Sequence, residues 1–87
     1  MNKFDKIIEF INKDFFMSKD LKKLKKKDIE EFKYLVENLP DDVDHEYAFN
    51  FWIMGEGKKF QLTNPKLMNR VSLFLVCYLN RTYREKK

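Results

Sequence analysis

After Pro65 the chain carries no further glycine or proline, and Leu67, Val71, Phe74, Leu75, Tyr78 and Leu79 recur at spacings of three and four. That spacing gathers them on one side of a 3.6-residue helix, and so long an apolar stripe needs other segments to cover it. Thr63 or Asn64 caps its start, with Pro65 at the first position, where a missing N–H costs nothing. Arg81, Arg84, Lys86 and Lys87 gather at its other end, where positive charge meets the negative pole of the helix.

The covering segments read as further helices. Phe4, Ile7, Ile8, Ile11 and Phe15 share a face and predict a helix over about residues 3–16, with Ser18 capping the next one. Leu21, Leu24, Ile29, Phe32, Leu35, Val36 and Leu39 fit two arrangements. One is a continuous helix stopped by Pro40; the other has a corner near Lys25 to Lys27 and a second helix begun by Asp28. Pro40-Asp41-Asp42 is turn chemistry, and either Asp caps a helix over about residues 43–54 that carries Tyr47, Ala48, Phe51, Trp52 and Met54. Gly55-Glu56-Gly57 ends that helix with residues that tolerate a left-handed cap.

Two glycines and two prolines in 87 residues are too few for the turns of a β-sandwich or barrel, and the length supports one core rather than two. The expected fold is all-α, a small single-domain bundle of four or five helices over residues 1–87. Cys77 has no partner for an internal disulfide, the N-terminus lacks a signal-type apolar run, and Val71 to Leu79 is about half of a membrane span. A cytoplasmic protein with no membrane partner is expected.

Charge is strongly polarised. Lys19 to Lys27 holds six lysines against one aspartate, a local +5, whereas Glu37 to Glu46 holds five carboxylates and no lysine or arginine. The lysines read either as a solvated face or as a surface for a phosphate backbone. In the second case Lys19, Lys22, Lys23, Lys25, Lys26 and Lys27, joined by Arg81 and Arg84, would bind RNA or DNA.

Nine Phe, four Tyr and one Trp exceed the needs of a four-helix core of this length. The segment after Tyr47 is apolar on nearly every side, so it is either central in the core or half committed to a partner. On the second reading Tyr47, Phe49, Phe51 and Trp52 anchor a protein interface with Asp41, Asp42 and Asp44 as its acidic rim.

Catalytic chemistry has little to draw on. His45 is the single histidine, and Cys77 sits inside an apolar helix as a small hydrophobe. Asp42, Asp44, His45 and Glu46 lack the glycine and distal glutamate of a calcium loop, and Gly55 to Lys59 lacks the spacing that cradles a phosphate. No catalytic residue, metal or cofactor is therefore expected. The favoured expectation is a non-enzymatic protein that occupies a protein partner, as small inhibitors, antitoxins and adaptors do. Nucleic-acid binding through the lysine run is the alternative, and a homo-oligomer fits either. The lysine-rich composition is also one that many small phage and bacterial reading frames share.

Overall fold

The first helix starts where Asn2 accepts a 2.8 Å bond from the Asp5 backbone N–H, and α1 (Lys3–Asn12) buries Phe4, Ile7 and Ile11. It stops short of the predicted boundary. The Asp14 carboxylate accepts from the Met17 N–H at 2.8 Å and becomes the N-cap of a separate helix, α2 (Phe15–Lys22). Ser18 lies inside α2, where its hydroxyl donates to the Phe15 carbonyl, so the cap expected of Ser18 belongs to Asp14. The change of direction takes Phe15 out of the core.

This computed structural model describes residues 2–86. The two-helix alternative for the next segment is the one adopted, with a corner at Lys23 to Lys25 before α3 (Lys26–Glu37). Asp28 is nearly buried there, and its carboxylate accepts from the Lys25 backbone N–H at 3.0 Å. α3 buries Phe32, Leu35 and Val36 and ends before Leu39 and Pro40. α4 (Glu46–Met54) begins later than the turn aspartates suggested. Its N-cap is His45, whose Nδ1 accepts from the Ala48 N–H at 3.1 Å, and not Asp41 or Asp42.

A 3-10 turn (Glu56–Phe60) follows α4 directly. Gly55 has φ of −110° and forms no left-handed cap. Gly57 is needed for a different reason: a Cβ there would lie 2.6 Å from the Trp52 ring, so the backbone passes against the indole only without a side chain. α5 (Pro65–Glu85) is capped as expected by Asn64, which accepts from the Lys66 and Leu67 N–H groups. Its 21 residues span about 31 Å at 1.5 Å per residue, close to the 34 Å long dimension of the molecule.

The helices pack around α1 and α5. α1 contacts α2, α3 and α5, while α4 contacts α5 and the 3-10 turn, which in turn reaches α3. Phe32 stands at the centre, edge-on to Phe4 at 5.2 Å and 6.2 Å from Phe74. Ile7, Ile11, Leu35, Val71 and Leu75 close around it without exposure, each contributing about 1.5–3 kcal/mol by leaving water. The result is an all-α bundle of five helices with no strand among the described residues. No helix among them is long and apolar enough to cross a membrane.

Candidate functional site

α4 divides its apolar residues between two faces. At 100° per residue, Phe49, Trp52 and Ile53 point one way and Tyr47, Asn50, Phe51 and Met54 the other. Phe49 is fully buried and Trp52 is 8% exposed, stacked at 5.9 Å on Phe60 from the 3-10 turn. These two were expected as anchors of an interface; both belong to the core, because their spacing turns them under the helix. On the outer face Tyr47 is 83%, Phe51 86% and Met54 77% exposed. Met54 was not among the expected anchors, although it follows Tyr47 by seven residues and Phe51 by three, the spacing of one helical stripe.

The frame behind this stripe is well fixed. Glu46 and Asn80 exchange two hydrogen bonds, 3.2 Å from the Glu46 N–H and 3.4 Å to its carboxylate, joining the start of α4 to α5. The His45 ring stands edge-on to Tyr83 at 5.1 Å. At the other end Gln61 donates to the Ile53 carbonyl at 2.9 Å.

The expected acidic rim is only partly assembled. Asp42 lines an open groove of about 360 Å³ whose other walls include Val43, Ala48, Phe51 and Glu56. Asp41 instead faces Lys3 at 3.5 Å, and Asp44 is half-buried. The rim beside Phe51 is thus Asp42 with Glu56, a residue outside the acidic stretch of Glu37 to Glu46.

The second unusual surface lies on α2, and it has an aromatic part that the spacing of Phe15 with Ile8 and Ile11 conceals in the sequence. Met17 and Leu21 turn toward the core, followed by Leu24, while Phe15 and Phe16 stand 65% and 74% exposed with their rings edge-to-face at 5.4 Å. The lysines expected at a nucleic-acid surface are all exposed here: Lys19, Lys22, Lys23, Lys25, Lys26 and Lys27. The Lys19 ammonium lies 4.4 Å from the centre of the Phe15 ring. Asp20 is bonded to Arg70 of α5 and lies 3.7 Å from Lys23, and it is the single carboxylate on α2.

Arg81 and Arg84 do not join these lysines. Arg81 lines a groove with Asp14 and Met17, on the inward side of α2 and opposite its lysine face. Arg81 is bound to Glu85 at 3.2 Å, and the Arg84 guanidinium donates to the Asn80 carbonyl.

His45 and Cys77 are held by their surroundings in different ways. His45 spends Nδ1 on its cap. Partial burial pushes the Cys77 thiol above its ordinary range, and the Asp14 and Glu46 carboxylates push it the same way, which disfavours thiolate. Burial, assisted by Glu85, also raises Tyr78. Among the described residues no three His, Cys, Asp or Glu side chains gather to hold a metal ion. Comparison with protein-family models, curated proteins and solved structures gives no match.

Proposed function

We propose that this is a non-enzymatic protein that acts by occupying a protein partner, with the outer face of α4 as its docking surface. The observation that carries the reading is the stripe Tyr47, Phe51 and Met54, three large apolar side chains exposed side by side on a helix whose opposite face is fixed in the core. Isolated apolar residues on a surface are ordinary, but a contiguous row on a rigid element is what an interface core requires. Tyrosine and phenylalanine bring large contact area at little cost in side-chain entropy. Asp42 and Glu56 beside Phe51 favour a partner with a complementary positive rim and would steer its approach. Small inhibitors, antitoxins and adaptors work in this stoichiometric way.

The test is retention of proteins from the host lysate by the wild type and by Tyr47→Ser/Phe51→Ser/Met54→Ser, with nuclease present and at moderate salt. A discrete protein held by the wild type and lost by the variant supports the reading; equal retention overturns it. Partners that vanish with nuclease point to the second reading, nucleic acid on Lys19 to Lys27, which the exposure of those lysines favours. Concentration-dependent association abolished by the same variant would make the partner a second copy of the chain.

A further inference from the structure

The outward face of α2 has an unusual content. Taking 100° per residue, Phe15, Phe16, Lys19, Lys22 and Lys23 all fall within an arc of about 120°, and Met17 and Leu21 lie on the opposite side. The only carboxylate of the helix, Asp20, stands at the edge of that arc and is neutralised by Arg70. The face therefore presents two adjacent phenyl rings at the start of the helix and ammonium groups one and two turns further on, extended at the corner by Lys25, Lys26 and Lys27. No ion pair falls on Lys19, Lys22, Lys25, Lys26 or Lys27 among the described residues.

We infer that this face of α2 binds the surface of an anionic lipid bilayer, with Phe15 and Phe16 inserted at the headgroup level and the lysines on the lipid phosphates and carboxylates. Two observations select that occupant. Lysine is depleted from the cores of protein interfaces, yet here Lys19 lies over the Phe15 ring and Lys22 and Lys23 continue the same face. A base-stacking platform presents parallel ring faces to successive nucleotides, but the edge-to-face contact sets these two rings at 81° and Lys19 sits over Phe15. A bilayer interface asks for neither: it takes aromatic side chains and lysines from the same helix face and needs no matched pocket. A spanning segment is not required, so the absence of one is compatible with this contact. α2 packs chiefly on α1 and α4 on the 3-10 turn and α5, which lets the lipid contact coexist with the docking surface on α4 without depending on it.

Co-sedimentation of the purified full chain with vesicles tests this. Vesicles of phosphatidylcholine containing about one third phosphatidylserine should carry the protein down, pure phosphatidylcholine vesicles should not, and added salt should weaken the binding. Phe15→Ala/Phe16→Ala should lower partitioning about tenfold or more with an unchanged melting temperature, since both rings are already exposed. Lys22→Gln/Lys26→Gln, which leaves the aromatics in place, should lower it about fivefold per lysine. The inference is overturned if phosphatidylserine vesicles leave the protein in solution, or if the double phenylalanine variant binds them as well as the wild type does. It is also overturned if single-stranded RNA is bound under conditions where the vesicles are not. Tyr47→Ser/Phe51→Ser should bind vesicles normally; loss of lipid binding in that variant would move the contact to α4 and reject the assignment to α2.

Discussion

α2 and α4 are both short helices that show aromatic side chains to solvent, but they are held in opposite ways. α4 drives Phe49, Trp52 and Ile53 into the core and is clamped at both ends by Asn80 and Gln61. α2 has no fully buried residue and rests on Met17 and Leu21, the Asp14 cap and the Asp20–Arg70 pair. Exposure of aromatics is therefore not one phenomenon in this molecule. On α4 the outward row is the unused side of a structural element, whereas α2 is itself a surface element whose outward face is its larger commitment.

The sharpest way to test this contrast is to empty the inward side of each helix. Trp52→Ala should cost about 3–5 kcal/mol, because it removes a buried indole and the stacking on Phe60. Met17→Ala, on a half-buried side chain, should cost clearly less. Equal losses in chemical denaturation would erase the distinction between the two helices. Next in size is Gly57→Ala, where the added methyl group meets the Trp52 ring at 2.6 Å, so that the indole or the backbone must shift. Overpacking of this kind should cost about 1–3 kcal/mol, read from the denaturation midpoint.

The caps come third. His45→Ala and Asp14→Ala each remove one side-chain acceptor from a helix N-terminus and should cost about 1 kcal/mol, with His45→Asn restoring most of the loss on α4. The contrast predicts different consequences: amide exchange should rise mainly within α2 for the Asp14 variant, while the His45 variant should lower the protection of the whole α4 and 3-10 unit. The smallest effect concerns Cys77, which feels both caps' neighbourhoods through Asp14 and Glu46. Since burial and these carboxylates raise the thiol, its alkylation at mildly alkaline pH should be slower than that of a free thiol and should accelerate on unfolding. Asp14→Asn or Glu46→Gln should move the titration modestly back toward the ordinary value. A thiol that reacts at the free rate in the native protein would contradict the direction.

Much of the architecture was readable in the residues. α5 and its Asn64-Pro65 start follow from periodicity and capping chemistry alone, and the helical class follows from the rarity of chain-turning residues. The break between α1 and α2 was hidden because Phe15 continues the three-and-four spacing of Ile8 and Ile11, so the pattern runs across a boundary that only the Asp14 cap creates. That one misplacement concealed the exposed Phe15 and Phe16. On α4 the obstacle was different: with apolar residues nearly all round, the sequence has no direction in which to bury, and the contacts with Phe60 and α5 decide that Trp52 goes in and Phe51 stays out. His45 as a cap and Gly57 as a passage for the indole depend on the same tertiary contacts and leave no local signature.

The seat of Trp52 against Gly57 and the Phe60 ring also equips the protein with an internal optical probe. It is the sole tryptophan of the chain, and its emission reports on the α4 and 3-10 unit, whereas far-ultraviolet circular dichroism averages over every helix. Melting curves followed by the two signals will superimpose if the bundle opens all at once and will separate if α2 peels away first. The cooperativity of the whole fold is thereby measurable without attaching a label.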